Sequence, residues 1–363
     1  MNILDDLKKI KQLDRSKVHQ SIELLGKQCG DAWQKVQSVD LPLNYCDFEN
    51  VIVCGMGGSA LGAHVIQSLY QDELKIPLVI CRDHFLPGFA GPGSLVILSS
   101  YSGNTEETLS CAQEVIEKGL RCFVISSNGQ LEQISQKNQF PRYTINPVYN
   151  PCGQPRMAIG YSIFSQLALF AKLGLINLKE TAVKAALRLI KKSQEQYSLK
   201  RPTASNLAKQ TALRLEKKIP ILVAAEHLVG AAHVFNNQLN ENAKHFSEYR
   251  VIPELNHHLM EGLGFPRSNP EGLAFLLINS EFYRSRIKAR FQLTAAVVRQ
   301  NKIQASDLAM PVAADKLQEV FGLISFGAWI SFYLAMQHQL DPAPIPWVDF
   351  FKKELETLAK KHE

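Results

Sequence analysis

The feature that most constrains the fold is an alternation of short apolar runs with helix-length segments. Apolar, β-branched runs occupy 51–55, 76–83, 94–103 and 120–129, and segments with helical spacing lie at 61–71 and 105–119. Strands that alternate with helices of 10–15 residues form right-handed βαβ units, which give a parallel sheet covered on both faces. The sequence therefore predicts an α/β fold.

The same alternation occurs a second time. Beyond the proline-rich segment 141–156, we predict helices at 157–175, 178–198, 226–246, 312–340 and 347–361, and strands at 219–225, 273–280 and 290–301. We therefore predict two αβα sandwich subdomains, each with a parallel sheet flanked by helices. Their expected bounds are 41–190 and 191–363, and an N-terminal helical segment covers 1–40.

Composition excludes several classes of protein. With 46% hydrophobic and 20% charged residues, the 363-residue chain is not extensively disordered. The net charge of +6 is spread along the chain, so neither nucleic acid nor a membrane surface is the expected partner. Seven cysteines show no zinc-type spacing and no disulfide framework. No signal-type run and no uncharged span of 18 apolar residues is found, so we expect a cytoplasmic protein without a metal site.

A glycine-rich loop, GMGGSALG, follows the first predicted strand. Glycine lets the backbone approach a ligand, and the next helix would present free N–H groups to an anion. The spacing of Gly55, Gly57 and Ala60 also fits a dinucleotide fingerprint, but Asp83 is a poor match to the acidic residue expected about 20 positions on. A tight turn without a ligand is the alternative. The candidate binding residues here are Gly57, Gly58 and Ser59.

Hydroxyl groups crowd the turn after the third predicted strand, in SSYSGNTEETL at 99–109. Hydroxyls and unpaired N–H groups at a helix N-terminus suit a phosphate monoester without a metal. The alternative is a capped helix, because Asn104 and Glu107 have the spacing of a capping box. We favour phosphate binding, with three candidate residues: Ser100, Ser102 and Thr105.

These two loops, about 40 residues apart, resemble those of the sugar isomerase (SIS) domain. Later segments resemble the bifunctional phosphoglucose/phosphomannose isomerase family: QPRMAIGYSIF at 154–164, NNQLNENAK at 236–244, PELNHH at 253–258 and DPAPIPWVDFFKKEL at 341–355. The resemblance runs from about residue 45 to the C-terminus. It implies two SIS domains per subunit, a homodimer, and hexose 6-phosphates as substrates. The implied reaction interconverts glucose 6-phosphate and fructose 6-phosphate through a cis-enediol, without a cofactor.

The resemblance also implies a set of catalytic residues. It places the base that moves a proton between C2 and C1 at Glu241, and the arginine that stabilises the enediolate at Arg156. Ring opening is assigned to His257, which related isomerases take from the partner subunit, while His258 replaces an asparagine of the family pattern. From pattern alone, Glu241 equally fits a solvated helix face paired with His245.

A lysine of the last helix completes the implied set, and both Lys352 and Lys353 are candidates. We expect the apolar stripe of this helix to be buried; its members are Val348, Phe351, Leu355 and Leu358. On a helical wheel Lys352 lies about 70° from the centre of the stripe and Lys353 almost opposite. Both this geometry and the family pattern favour Lys352.

Two other functions are compatible with parts of the sequence. A non-catalytic sugar-phosphate-binding SIS regulator would need only the loops, so Glu241, His257, Lys352 and Arg156 count against it. A dinucleotide-dependent oxidoreductase would need the first loop, but the second loop and the poorly placed Asp83 count against it.

Mannose 6-phosphate is expected to be the slower aldose substrate. The family pattern has a threonine seven residues before the catalytic lysine. The corresponding residue here is Ile345 when counted from Lys352, or Pro346 when counted from Lys353. The whole segment 341–347, DPAPIPW, contains no serine or threonine. An apolar side chain cannot replace a hydroxyl that contacts a sugar oxygen.

Overall fold

The strands form two parallel sheets in a computed structural model that describes residues 2–362. The first sheet has the order β2-β1-β3-β4-β5, with β1 at Asn50–Cys54, β2 at Leu78–Cys81, β3 at Ser94–Ser100, β4 at Arg121–Ser126 and β5 at Arg142–Thr144. The second has the order β7-β6-β8-β9, with β6 at Ile219–Ala225, β7 at Glu248–Ile252, β8 at Leu273–Leu277 and β9 at Gln304–Asp307. The predicted α/β class with parallel sheets is confirmed.

Helices precede, connect and follow these strands. Before the first sheet lie α1 (Leu7–Leu13), α2 (Val18–Glu23) and α3 (Leu25–Gln37). Within the first half lie α4 (Gly58–Leu69), α5 (Glu106–Glu117) and α6 (Gly129–Lys137), followed by α7 (Ile159–Lys172), α8 (Glu180–Tyr197) and α9 (Leu207–Leu215). The second half contains α10 (Val229–Asn242), α11 (Leu255–His258), α12 (Asn269–Gly272) and α13 (Ser285–Gln300). The chain ends with α14 (Lys316–Gln337) and α15 (Pro346–His362).

Both faces of the first sheet are buried. In β1, Val51 and Val53 belong to a large core that continues through the helices into the second sheet. The alternate residues Ile52 and Cys54 face a smaller core beneath α5 and α6. This continuous burial is the reason that the strands have nearly uninterrupted apolar sequences.

The strand predicted at 290–301 is wrong, because this segment belongs to α13. Its buried residues Phe291, Ala295 and Val298 follow one helical face, and the β-branched residues between them misled the assignment. The short strands β5, β7 and β9 were not predicted. Each is only three to five residues long, and residues of all three are partly exposed, so none has a long apolar run.

The last two helices differ sharply in burial. Helix α14 is long and apolar enough to cross a membrane, but all of its apolar window is buried inside the protein. Helix α15 leaves its apolar residues exposed, so the predicted burial of its stripe is wrong for the single chain. The exposed fractions are 42% for Val348, 64% for Phe351, 44% for Leu355 and 52% for Leu358.

Candidate active site

The two loops lie together where the order of the first sheet reverses. The chain passes from β1 to β2 on one side, and then to β3 on the other side of β1. In open parallel sheets, ligands bind outside the carboxyl ends of the strands at such a switch point. The loops after β1 and β3 therefore flank the position where a ligand is expected.

The first loop turns tightly against the second. A Cβ atom at Gly55 would lie 2.8 Å from the carbonyl oxygen of Ser99, so only glycine fits. Gly57 has a φ of +49° and precedes α4, whose N-terminus has no side-chain cap. The hydroxyl of Ser59 accepts a 3.2 Å hydrogen bond from the backbone N–H of Tyr101, and this bond joins the two loops.

The second loop holds its hydroxyls around Gly103, which has a φ of +68°. The hydroxyls of Ser100 and Thr105 are 2.8 Å apart, and that of Ser102 accepts a bond from the backbone of Asn104. The capping box, which was the alternative to a phosphate site, is not formed. Thr105, rather than Asn104, is the N-cap of α5 and makes no side-chain capping bond. The N-terminus of α5 is thus left uncapped, as an anion site requires.

The corresponding crevice of the second sheet, between the ends of β6 and β8, contains a buried carboxylate. Glu319 accepts a 2.6 Å bond from the hydroxyl of Ser280 and lies 2.7 Å from Nε2 of His227. All three residues are buried. A buried carboxylate is unfavourable for an anion bound beside it, which sets this crevice apart from the corresponding one of the first sheet.

Glu241 lies in the last turn of α10, beside the start of α4. Its side chain is half-buried and lines a crevice with Gly58 and Arg156. It also lines a cleft of about 500 Å³ with Asp341 and Ile345. The alternative pairing of Glu241 with His245 is wrong, because α10 ends at Asn242 and His245 instead contacts His338, at 2.9 Å.

Arg156 is held over this crevice by four hydrogen bonds. It lies in a short 3-10 turn, Pro155–Met157, and its Nε donates to Oδ1 of Asn242 at 2.8 Å. Nη1 donates to the Gln154 side chain at 2.9 Å. Nη2 donates to the carbonyl oxygens of Pro342 and Ala343, each at 2.7 Å. The guanidinium therefore has a fixed position between the two halves of the chain.

Lys244 is a second cation at this site, and the sequence-based reasoning did not select it. Two residues after the end of α10, it adopts a φ of +51°, and its Nζ donates to the carbonyl oxygen of Pro342 at 2.7 Å. It lines the same cleft as Glu241. Its three-residue spacing from Glu241 could have suggested it. The turn that directs its side chain toward Pro342 depends on tertiary contacts, which a sequence pattern does not show.

The charges of the site act on one another. Burial raises the pKa of Glu241, while the positive charges of Arg156 and Lys244 oppose the rise. Burial lowers the pKa of Lys244 to about 8, and the charge of Arg156 adds to this effect. Glu241 forms none of the ion pairs within 4.0 Å found among residues 2–362, so its carboxylate is not locked to either cation.

Two predicted catalytic residues lie away from Glu241 in the single chain. His257 is exposed on the short helix α11, after the edge strand β7, and does not line the cleft. Lys352 is also exposed and lies one helical turn beyond Val348, which does line it. Lys353 is equally exposed, so burial in the single chain does not distinguish the two lysines.

Comparison with known proteins gives consistent relatives. Residues 204–355 match a family profile that is described as the bacterial phospho-glucose isomerase C-terminal SIS domain. A bifunctional phosphoglucose/phosphomannose isomerase of Caldicellulosiruptor bescii is 31% identical over 93% of this chain and 98% of its own length. One of Aquifex aeolicus is 28% identical over 89% of this chain and 94% of its own length.

A solved structure extends the similarity to the fold. A hypothetical protein of Thermus thermophilus superposes with a TM-score of 0.74 at 17% identity, covering 98% of this chain and 94% of its own. At 17% identity this likeness supports the fold alone. The sequence similarity to the Caldicellulosiruptor bescii protein covers almost the full length of both chains and therefore supports the family. The protein belongs to the bifunctional phosphoglucose/phosphomannose isomerase family.

Proposed function

We propose that this protein interconverts glucose 6-phosphate and fructose 6-phosphate, and mannose 6-phosphate more slowly, by proton transfer through a cis-enediol. The observation that carries the proposal is the setting of Glu241. Its half-buried carboxylate lines a cleft and forms no ion pair with any residue that the structure describes. It lies close enough to Arg156 and Lys244 for both to affect its pKa. Such an environment suits a base that must gain and lose a proton in each turnover.

In the proposed reaction, Glu241 removes the C2 proton of the open-chain aldose. The C–H electron pair forms the C1–C2 double bond, and the carbonyl electrons move onto O1. A proton passes from the O2 hydroxyl to O1. The electron pair left on O2 forms the C2 carbonyl, and the C1–C2 double-bond pair takes the proton back from Glu241 at C1 to give the ketose. Burial makes the carboxylate a stronger base than an exposed glutamate, and the positive charges of Arg156 and Lys244 oppose this rise in its pKa.

Arg156 stabilises the negative charge that develops on the sugar oxygens. Its hydrogen bonds to Asn242, Pro342 and Ala343 fix the guanidinium before the substrate arrives. A preorganised cation needs no rearrangement in the transition state, which is the main source of electrostatic catalysis. Lys244, which donates to the same Pro342 carbonyl as Arg156, adds to this positive field.

The phosphate group binds at the switch point of the first sheet. Ser102 and Thr105 donate hydrogen bonds from their hydroxyl groups to the phosphate, and the uncapped N-terminus of α5 supplies N–H groups. The hydroxyl of Ser100 contacts that of Thr105 and orients it. Gly57, Gly58 and Ser59 bring the first loop against the sugar. Binding energy from the phosphate then orients C1 and C2 toward Glu241.

A second copy of the chain completes the site. His257 of the partner subunit opens the sugar ring. Lys352, which lies on α15, approaches the sugar oxygens. The exposed apolar face of α15, formed by Trp347, Val348 and Phe351, supports such a homodimer because a surface of this kind needs a cover in water. Its proximity to the Glu241 cleft means that the partner would also close the site.

We place the enzyme in the cytoplasm, where all seven cysteines would stay reduced. The regulator alternative is not favoured, because a sensor would not need a base flanked by two cations. The oxidoreductase alternative is not favoured either. It would need an acidic residue to bind the ribose of a dinucleotide, whereas the carboxylate of Asp83 accepts a hydrogen bond from the backbone of His84 in an exposed turn.

The decisive experiment follows fructose 6-phosphate by NMR with the purified full-length chain, EDTA and no added nucleotide. We expect glucose 6-phosphate to accumulate until equilibrium, and in D2O we expect deuterium at C2 of the aldose. Absence of isomerisation would overturn the proposed function. Activity that is lost in EDTA and restored by a divalent ion would overturn the metal-free mechanism.

A further inference from the structure

Three buried cysteines meet beneath the first sheet, on the face opposite the main core. Cys54 ends β1, Cys81 ends the neighbouring strand β2, and Cys111 lies in α5. Their sulfur atoms all lie within 4.8 Å of one another, and those of Cys81 and Cys111 are 4.0 Å apart. Sequence spacing could not show this cluster, because parallel pairing of two strands brings the residues together.

The dimensions of this triangle match those of a metal site with three thiolates. Metal–sulfur bonds of about 2.3 Å in a trigonal site put the sulfurs about 4 Å apart. The cluster therefore needs a contraction of less than about 1 Å to reach that geometry. Among the described residues no fourth cysteine, histidine or carboxylate completes a tetrahedron, so the site suits a soft cation that accepts three sulfurs rather than zinc, which prefers four ligands.

The surroundings also suit a soft cation. The three residues are between 0% and 6% exposed. The turn after β2 folds across them, and the thiols of Cys81 and Cys111 donate to the carbonyl oxygens of Phe85 and Asp83. None of the sulfurs bonds to a basic side chain in the described part of the chain.

We propose that Cys54, Cys81 and Cys111 form a buried trigonal site for one Cu(I) ion per chain. The cluster and the core beneath α4 lie on opposite faces of the first sheet. Binding releases thiol protons, and no electron transfer is involved because copper enters in its reduced state.

The test is anaerobic titration of the full-length protein with Cu(I) against the chelator bathocuproine disulfonate. We expect the wild type to hold one Cu(I), and C81S and C111S to bind at least about 100-fold more weakly. Two control variants should bind as the wild type does: C122S, which removes a buried thiol of the same sheet, and C46S, which removes an exposed thiol.

X-ray absorption on the copper-loaded wild type gives a second measurement that does not depend on how the variants fold. We expect three sulfur neighbours at a single short distance. Copper bound equally by the wild type and C81S, copper lost in C46S, or a spectrum with fewer than three sulfurs would each overturn the proposal. None of these results depends on whether the protein isomerises sugars.

Discussion

Nε of Arg156 donates a 2.8 Å hydrogen bond to Oδ1 of Asn242, the residue next to Glu241. Asn242 is 1% exposed, and its amide nitrogen donates to the hydroxyl of Ser331 on α14. A buried amide held in this way cannot rotate freely, so it fixes the arginine with respect to the end of α10. The proposed base and its charge partner thus come from opposite halves of the chain, and the Asn242 side chain holds the arginine beside the helix that carries the base.

Replacement of Glu241 by glutamine should remove the base while keeping its shape. We expect E241Q to lower kcat by about 10²–10⁴-fold with little change in KM, because proton transfer is lost and substrate contacts are kept. The matched control is E248Q, which alters a glutamate of β7 that pairs with Arg250. Steady-state kinetics checks both variants, and near-normal kcat in E241Q would exclude Glu241 as the base.

Much of this site was predictable from sequence, and the reason is local. The loops follow apolar strands, and the motif around Glu241 is contiguous, so neighbouring residues carry the signal. The hydrogen bonds of Lys244 to Pro342 and of Arg156 to Pro342 and Ala343 were not predictable, because they join segments 98 or more residues apart. The exposure of α15 was missed for a related reason: an amphipathic pattern predicts a buried face but not which molecule covers it.

The rate should depend on pH through both Glu241 and Lys244. Only ionised Glu241 is a base, and burial raises its pKa, so kcat/KM should fall with decreasing pH earlier than for an ordinary glutamate. Lys244 has a pKa of about 8, so its positive charge is present below that pH and lost above it. We therefore expect a second, alkaline decline near pH 8.

Substitution of Lys244 separates these two effects. K244M removes a charge that lowers the pKa of Glu241, so the acidic limb of kcat/KM should move to higher pH. K244R keeps its charge, so the alkaline decline should disappear. K184M, at an exposed lysine paired with Glu180, is the control and should leave the profile unchanged. An acidic limb at the same pH in K244M and the wild type would contradict this coupling.

Loss of the loop hydroxyls should weaken phosphate binding. We expect S102A and T105A each to reduce the affinity for a sugar-phosphate inhibitor by about 1–3 kcal/mol, because each removes a hydrogen bond to a charged group. S110A alters a serine of the same helix beyond the loop and should have no such effect. Inhibition constants and thermal melts are measured together. A lower melting temperature with unchanged inhibition constants would mean that the hydroxyls only support the turn.

A charge on the face of α15 should prevent the proposed homodimer from forming and inactivate the enzyme. Phe351 is 64% exposed in the single chain, and F351D should produce monomers that lack His257 of the partner subunit at the site. Sedimentation velocity and activity are measured against L43D, which changes a leucine that is 99% exposed on another part of the surface. Full activity in a monomeric F351D protein would show that one chain carries the complete site.

The preference between the two aldose phosphates should depend on Ile345, which lines the Glu241 cleft just before α15 begins. A site that accepts both C2 epimers needs a hydrogen-bond partner on either side of C2, and an apolar side chain leaves one sugar oxygen unpaired. We expect kcat/KM for mannose 6-phosphate to be about 10-fold or more below that for glucose 6-phosphate, which corresponds to about 1.4 kcal/mol.

The variant I345T restores a hydroxyl at this position. Threonine is tolerated before the first turn of a helix, and the backbone bonds from Val348 and Asp349 to the carbonyl of residue 345 do not involve the side chain. We expect I345T to narrow the ratio of the two kcat/KM values, mainly by improving turnover of mannose 6-phosphate, while I345V leaves the ratio unchanged. A wild-type ratio near one, or equal ratios in I345T and I345V, would mean that another group already contacts the C2 hydroxyl, and the missing threonine would have no role in selectivity.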